Sequence, residues 1–312
     1  MKISMQTGGW MPRLFENDFD GALAFIRDNG FTCLDLNVDS QFPDGANGAL
    51  GGFFDQSIEE LLDFYAPLKA AMVKYGVSVG QLHAPFPMAK VGADAAAYPT
   101  EHDYAIMAAE KCMALAQMLE CPIVVVHPMC LLDNKEREFE MNLEMYRRLT
   151  PAAKKYGVTV CLENLFMRRN GHTIAGCCSD VNEACRYIDT LNAEAGQTCF
   201  GFCYDTGHAM VAGRWVANDL RRLGKRLKAL HIHTNDAFED LHQIPYTQKD
   251  RSGHGLVADW DGFMAALREI GYAGTLNFET YASLNGVPDE LISAMLRLTA
   301  AIGEYFAKKI TE

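Results

Sequence analysis

Short apolar runs alternate along the chain with longer amphipathic stretches. The short runs have the length and composition of buried strands, and they lie at 2–6, 33–38, 78–83, 123–127, 159–163, 201–205, 229–233 and 275–279. The longer stretches are helix-like, and they lie near 18–29, 57–75, 99–119, 136–156, 181–193, 215–226, 260–270 and 287–308. This strict alternation predicts a parallel sheet that is covered by helices.

The number of strand–helix pairs distinguishes two α/β architectures. Eight pairs in a chain of 312 residues are typical of a closed (β/α)8 barrel, the TIM barrel. An open doubly wound sheet would normally carry a G-x-G-x-x-G turn after its first strand, and this chain has only Gly8 and Gly9 there. The sequence therefore predicts the barrel.

Glycines mark the ends of several predicted helices. A glycine follows a helical pattern just before a predicted strand at Gly30, Gly76, Gly157 and Gly271, as expected for helix C-termini. No internal repeat or linker interrupts the pattern, so we predict a single α/β TIM-barrel domain over residues 1–312. The glycine-rich stretch 42–52, after the second predicted strand, is either a lid or an ordinary surface loop.

Six consecutive predicted strands end in a histidine or a carboxylate. These residues are His83, His127, Glu163, Asp205, His233 and Glu279. An apolar strand has no folding reason to end so, because charged groups there cost desolvation free energy unless they are paired or bind a metal. In barrels this rim is where catalysis takes place. Any one of the six could be structural, but together they predict a metal site.

The donor types restrict the metal. Imidazole and carboxylate ligands without thiolate suit zinc, manganese, cobalt or iron(II). We therefore expect a divalent cofactor, such as Mn, Co, Mg or Zn, with the number of ions per chain left open. His231 has the same strand parity as His233 and lies one layer deeper, so we interpret it as a core histidine or a residue that supports the ligands.

Composition limits the partners and the compartment. The formal net charge is −12, which disfavours nucleic acid as a partner, because phosphate contacts need a basic surface. The ten cysteines are scattered without a C-x-x-C pair, which is typical of a reduced, cytoplasmic protein. The sequence contains no run of about 18 apolar residues, so we expect no membrane span. The N-terminal residues lack the apolar core of a signal peptide.

At these residues the sequence resembles the xylose isomerase-like barrel superfamily. That superfamily includes sugar isomerases and epimerases, myo-inositol catabolism enzymes and the endonuclease IV class of DNA repair enzymes. The resemblance runs from residue 1 to about residue 281. The segments that carry it are Tyr204-Asp205-Thr206-Gly207-His208-Ala209, His233-Thr234-Asn235-Asp236, Asp240-Leu241-His242, Gly253-His254-Gly255, Asp259-Trp260 and Glu279.

The resemblance implies two possible ligand sets. In the ketose epimerases of the superfamily one divalent ion is held by residues that match Glu163, Asp205, His233 and Glu279. In endonuclease IV three zinc ions also use positions that match His83, His127, His208, Asp240 and His242. Sugar-acting relatives often keep some of these histidines for substrate, so the second set is either additional metal ligands or substrate-binding residues.

The leading hypothesis is a metal-dependent isomerase or epimerase for a sugar, ketose or polyol derivative. The metal would act as a Lewis acid on a carbonyl and stabilise an enediolate. The resemblance makes Glu163 and Glu279 the acid–base pair and His208 the residue that orients a substrate oxygen. Arg168 and Trp10 are candidates for substrate contacts. We find no lysine at a predicted strand end, which disfavours a hydride shift and a Schiff-base aldolase.

Three alternatives remain. A lyase or dehydratase, including an enzyme that cleaves C-glycosides, would use the same residues. An endonuclease IV-like zinc phosphodiesterase would use all nine ligand positions, and the net charge of −12 weighs against it. A non-catalytic sugar-binding protein would not explain six reactive strand ends. We expect a small carbohydrate as the partner, no nucleic acid and no membrane, and we leave open whether the chain forms a homo-oligomer.

Overall fold

The computed structural model describes residues 1–8, 18–38, 52–86, 98–131, 134–250, 252–253 and 255–312, with the backbone alone for 98–102. Trp10 and nearly all of the stretch 42–52 lie outside the described residues. The strands are β1 (Ile3–Gln6), β2 (Cys33–Asn37), β3 (Ser78–His83), β4 (Ile123–Val125), β5 (Thr159–Glu163), β6 (Phe166–Arg169), β7 (His172–Ala175), β8 (Phe200–Asp205), β9 (Leu227–His231) and β10 (Leu276–Phe278).

Eight of these strands form a parallel barrel. Their order is β10-β1-β2-β3-β4-β5-β8-β9, and every pairing between neighbours is parallel. The ring closes just beyond β9, where Ile232 donates its N–H to the carbonyl of Asn277 at 2.8 Å and accepts from the N–H of Glu279 at 3.1 Å. The predicted (β/α)8 barrel is confirmed. β6 and β7 form a separate antiparallel hairpin after β5.

Helices follow the strands in the predicted alternation. They are α1 (Phe19–Asp28), α2 (Ile58–Tyr75), α3 (Tyr98–Met118), α4 (Lys135–Tyr156), α5 (Val181–Ala195), α6 (Thr206–Val211), α7 (Val216–Leu223), α8 (Trp260–Glu269) and α9 (Asp289–Thr311). Gly76 and Gly157 end α2 and α4 in the left-handed conformation, at φ 62° and 67°. A side chain would strain this conformation, which explains glycine at both helix ends.

The barrel has an outer and an inner packing layer. One continuous apolar cluster runs from Met5 to Ile310 and joins the strands to the helices. A second, small cluster consists of Val125, Cys161, Cys203 and Ala229. Cys161 shares strand parity with Glu163, and Cys203 with Asp205, so this small cluster lies inside the barrel beneath the rim. Cysteine serves there as a small hydrophobe.

Several boundaries differ from the sequence prediction. β4 ends at Val125 and β9 at His231, two residues before His127 and His233 respectively. The chain leaves the ladder early at these points, yet side-chain alternation still directs the two histidines toward the rim. The predicted helix 215–226 is α7 followed by a 3-10 turn, Gly224–Arg226. The hairpin and the short helix α6 were not predicted.

Among the described helices, none is both long enough and apolar enough to cross a membrane.

Candidate active site

Glu163, at the end of β5, lies at the centre of the rim residues. Its side chain is 1% exposed. The Oε1 atom lies 3.2 Å from Nδ1 of His231 and 3.4 Å from Nδ1 of His208. The Oε2 atom lies 3.3 Å from Nε2 of His127 and 3.6 Å from Nε2 of His83. One carboxylate therefore joins two groups of imidazoles.

His83 and His127 form the group on the Oε2 side of Glu163. Their Nε2 atoms are 3.1 Å apart. Nδ1 of His83 lies 2.8 Å from the carbonyl oxygen of Ala84, which favours the tautomer that donates there and leaves Nε2 directed at the carboxylate. The ring of Phe86 stacks on His127 with a centroid distance of 4.5 Å. Both histidines thus present one nitrogen each to the same point.

Asp205, at the end of β8, and His233, two residues beyond β9, form a second group. Nε2 of His233 lies 3.0 Å from both carboxylate oxygens of Asp205. Asp205 also caps α6, because its Oδ1 accepts the N–H of His208 at 2.6 Å. The side chain of Asn164 brackets the backbone of Asp205, accepting its N–H and donating to its carbonyl, each at 2.8 Å. These bonds fix the carboxylate before any ligand arrives.

Asp240 and His242 form a third group, in the loop after β9. Oδ2 of Asp240 lies 2.9 Å from Nε2 of His242 and 3.4 Å from Nε2 of His208. The ring of His242 stacks on His233 at a centroid distance of 4.1 Å and an interplanar angle of 13°. His242 has φ 46°, a left-handed conformation that is uncommon outside glycine and is often found at functional sites.

Glu279 follows β10 and completes the ring of carboxylates. Its Oε1 accepts a 2.6 Å hydrogen bond from Nε2 of Gln6. Its Oε2 lies 3.0 Å from Nδ1 of His231. The backbone carbonyl of Glu279 lies 3.1 Å from Nδ1 of His242, so this residue also fixes the third group.

The two glutamates experience opposite electrostatic environments. Burial by itself raises the pKa of a carboxyl group. At Glu163 the facing imidazoles of His231 and His127 outweigh burial and hold the pKa well below its usual range. At Glu279 burial prevails over the imidazoles of His231 and His242, and the pKa is raised. Neighbouring carboxyl groups whose pKa values are pushed apart are typical of an acid–base pair.

The donor atoms fit a divalent cation. Several sets of donor atoms lie within 4.8 Å of one another, and three of them consist of candidate site residues, namely His83/His127/Glu163, His208/Asp240/His242 and His233/His242/Glu279. Oε2 of Glu163, Oδ1 of Asp240 and Oε2 of Glu279 are buried and make no hydrogen bond of good geometry among the described residues, although imidazole nitrogens lie 3.3, 3.8 and 3.0 Å from them. Buried carboxylate oxygens without a partner are costly, and a cation between the strand ends would satisfy them.

The structure brings together the rim residues that the sequence singled out. All nine candidate positions lie in one connected cluster of side chains. Arg168 lies elsewhere, on the hairpin, where its exposed guanidinium pairs with the carboxylate of Glu239. Thr173 of the same hairpin donates to the carbonyl of Phe238 at 2.8 Å. The hairpin thus docks on the loop that carries Asp240, and the ring of Phe166 lies 5.0 Å from that of His208.

Sequence reasoning missed two residues that contact the site from below. Gln6 binds Glu279 directly, and Asp35 lies 3.2 Å from His231. A signal for Asp35 was present, since a carboxylate interrupts the apolar run Cys33-Leu34-Asp35-Leu36. The pattern of reactive strand ends does not include Asp35, because this residue lies inside β2.

Solved structures of sugar epimerases share this fold. A D-tagatose 3-epimerase-like protein superposes with a TM-score of 0.68 at 16% identity, covering 100% of this chain and 98% of that one. The 3-keto-D-glucoside 4-epimerase from E. coli superposes with the same TM-score of 0.68 at 16% identity, covering 98% of this chain and 99% of that one.

A curated protein and a family profile match the sequence itself. An uncharacterized protein, y4fM, from Sinorhizobium fredii is 36% identical over 80 residues, a segment that covers 26% of this chain and only 23% of that protein. The profile of the xylose isomerase-like TIM barrel matches residues 23–300. This match covers most of the chain, and the chain belongs to the xylose isomerase-like TIM barrel family.

Proposed function

We propose that this protein is a metal-dependent isomerase or epimerase that acts on a ketose or another sugar or polyol derivative with a carbonyl group. The observation that carries the proposal is the placement of Glu163 and Glu279. These two buried carboxylates come from β5 and from the end of β10, which are separated in the barrel by β8 and β9. They approach the same nitrogen of His231 from different strands, at 3.2 and 3.0 Å.

Four residues would hold the ion. Glu163, Asp205, His233 and Glu279 supply three carboxylates and one imidazole, a donor set that suits Mn, Co, Mg or Zn. A divalent ion bound there supplies Lewis-acid polarisation of the substrate carbonyl. Asp205 and His233 have their positions fixed by the bonds of Asn164 and Thr206, the latter donating to the His233 carbonyl at 2.7 Å. Their part is to hold the ion and not to move protons.

The two glutamates would move the proton. One of them takes the proton from the carbon next to the carbonyl, and the electron pair of that C–H bond forms an enediolate. The other glutamate returns a proton on the opposite face, which inverts the stereocentre, or to the neighbouring carbon, which isomerises the sugar. His208 lies beside one of these glutamates, since Nδ1 of His208 is 3.4 Å from Oε1 of Glu163. It would orient a substrate oxygen.

Similar proteins support a carbonyl-bearing sugar as the substrate. Of the two structures compared above, one is named a 3-keto-D-glucoside 4-epimerase and the other a D-tagatose 3-epimerase-like protein. Phe86 and Phe166 pack on rim histidines, and aromatic rings beside a sugar site favour the C–H face of the substrate. Arg168 remains a candidate for substrate contact, although its partner in the structure is Glu239.

One observation favours a second function. The three donor sets would allow more than one ion, as in an endonuclease IV-like phosphodiesterase. Against it, several exposed arginines pair with carboxylates and do not form a free basic surface. Examples are Arg147 with Glu194, Arg221 with Glu269 and Arg226 with Asp189, at 2.7, 2.5 and 2.7 Å. A basic surface is what a DNA backbone requires.

Product analysis tests the proposal. Protein loaded with Mn²⁺ or Co²⁺ is incubated with D-tagatose, D-fructose and a 3-keto-glucoside, and the products are identified by NMR. We expect an epimer or an aldose–ketose isomer. Glu163→Gln and Glu279→Gln should each lower the rate by at least about 100-fold, whereas Glu194→Gln on the surface should not. The metal content of each variant is measured, so that loss of proton transfer is distinguished from loss of the ion.

Other products identify the alternatives. A dehydrated or cleaved product would show a lyase that uses the same carboxylates. No sugar turnover by fully loaded protein, together with nicking of abasic DNA, would replace the proposal with the phosphodiesterase.

A further inference from the structure

The interior of the barrel contains a polar group directly beneath the rim. Asp35 in β2, Gln81 in β3, His231 in β9 and Asn277 in β10 are each at most 1% exposed. Barrel interiors are usually filled by branched apolar side chains. Burying a carboxylate and an imidazole there costs desolvation free energy that apolar residues of similar volume would avoid. Packing alone therefore does not explain why polar residues occupy these interior positions.

Asp35 holds the group together. Its Oδ2 accepts hydrogen bonds from Nδ2 of Asn277 at 2.8 Å and from Nε2 of Gln81 at 3.0 Å. Nε2 of His231 lies 3.2 Å from the same oxygen. Two strands thus direct an amide donor at one carboxylate oxygen, and a third strand places an imidazole nitrogen within ion-pair distance of it. Neither ring nitrogen of His231 makes a hydrogen bond of good geometry among the described residues, so the carboxylate attracts the imidazole by charge.

His231 connects this group to the active-site carboxylates. While its Nε2 faces Asp35, its Nδ1 lies 3.2 Å from Glu163 and 3.0 Å from Glu279. The ring also stacks on His83, with a centroid distance of 5.5 Å and an interplanar angle of 22°. The imidazole is wholly buried, and we infer that it acts through the residues that it faces.

We propose that Asp35 and His231 are positioning residues that hold the inner oxygens of Glu163 and Glu279 at a set separation from below. The inference rests on the proposed function, in which these two glutamates hold the ion and move the proton. Oε1 of Glu163 and Oε2 of Glu279 face the same nitrogen of His231, and Oε2 of Glu163 is then left facing His127 and His83. Gln6 supports Glu279 from the other side, through its 2.6 Å hydrogen bond.

The variants Asp35→Asn and His231→Gln test the proposal. The asparagine of the first variant keeps an oxygen that accepts from Gln81 and Asn277 but loses the carboxylate charge that faces His231. The glutamine of the second variant can reach one neighbour but cannot bridge Asp35 and both glutamates. The matched control is Ser4→Ala, because Ser4 is a wholly buried polar residue of β1 whose hydroxyl finds no hydrogen-bond partner among the described residues.

The first readout is the visible spectrum of Co²⁺-loaded protein, which reports the ligand geometry without any substrate. We expect a changed spectrum in Asp35→Asn and His231→Gln and an unchanged one in Ser4→Ala. The second readout is kinetic, and kcat should fall about 10- to 100-fold in the two variants with KM nearly unchanged. Wild-type spectra and kcat in both variants would overturn the proposal, and so would an equal loss in Ser4→Ala.

Crystal structures separate failure of this inference from failure of the proposed function. Wild-type protein that binds Co²⁺ but converts no sugar would contradict the proposed function, while the spectra still test the positioning. If wild type binds no Co²⁺, metal-free crystal structures of wild type and His231→Gln decide instead. If neither variant folds, the crystal structure of the wild-type protein alone tests the inference. The carboxylates should move by about 1 Å or more in the variant, and a wild-type His231 that contacts neither glutamate would overturn the inference.

Discussion

Gly207 lies directly against the imidazole of His233. A methyl group at position 207 would overlap the ring atoms Cε1, Nδ1 and Nε2 of that histidine. Gly207 belongs to the segment Asp205-Thr206-Gly207-His208, which begins with a proposed ligand. The glycine is therefore required by the close approach of helix α6 to the end of β9, and it lets Asp205 and His233 face the same point.

Gly207→Ala should displace His233 and lower the affinity for Mn²⁺ or Co²⁺ by about 10- to 100-fold, the range found when a supporting contact of a ligand is lost. Isothermal titration calorimetry measures the affinity. The matched control is Gly171→Ala in the hairpin turn, where an added Cβ meets nothing within 4 Å and the only cost is the backbone at φ 78°. Unchanged ion binding in Gly207→Ala would contradict the predicted overlap.

The metal content of two variants should distinguish the four proposed ligands from the His83–His127 group. Asp205→Asn should lose the ion held by Glu163, Asp205, His233 and Glu279, because it removes a buried charge from that set. His127→Gln should keep this ion, since His127 lies on the Oε2 side of Glu163 with His83. Elemental analysis after dialysis gives the ions per chain, and any ion lost from His127→Gln alone belongs to the His83–His127 group. Full retention by Asp205→Asn would show that the ion is held elsewhere.

The cysteines should be unreactive in the folded protein. All ten are free, and all but Cys130 are buried. Burial raises the pKa of Cys130 to about 12 and that of Cys177 well above its usual value. Because the thiolate is the reactive form, a raised pKa leaves little of it at pH 8. An aromatic disulfide reagent at pH 8 should label the native protein slowly and all ten thiols after unfolding. Rapid labelling of two or more native thiols would contradict this.

The packing of α9 predicts a single cooperative unit. Phe306 is wholly buried, and its ring contacts those of Phe278, Trp260 and Phe263. Phe306→Ala should lower the free energy of unfolding by about 3–5 kcal/mol, and Phe306→Leu by a smaller amount. Denaturant unfolding followed by two spectroscopic probes measures both. One domain predicts coincident transitions, whereas a transition confined to one probe would contradict the single-domain prediction.

Much of the fold follows from local patterns in the sequence. The alternation of apolar strands with amphipathic helices predicted the eight barrel strands. A strand that is buried on both faces has a nearly continuous apolar sequence, which can be recognised from the sequence alone. The hairpin of β6 and β7 was missed because its four-residue strands are half exposed and carry Arg168 and Arg169. Helix α6 has six residues, too few for a helical period.

Part of the candidate site could also be predicted from the sequence, for a different reason. Ligand-type residues stood out at strand ends because the preceding residues are apolar, as before His83 and Glu163. Contacts between strands distant in sequence have no such local signal. Gln6 and Glu279 are 273 positions apart, and only closure of the barrel brings them together. The bridge from Asp35 through His231 to the glutamates is hidden for the same reason.

Deuterium incorporation from D2O is the decisive measurement for proton abstraction next to a carbonyl. The protein is stripped with a chelator, reloaded with Mn²⁺ or Co²⁺, and incubated with D-tagatose and a 3-keto-glucoside in D2O. NMR should show deuterium on a carbon next to the carbonyl with reloaded protein, and none with stripped protein. Equal incorporation in the stripped protein, or conversion of the sugar without any deuterium, would contradict the metal-dependent proton transfer by Glu163 and Glu279.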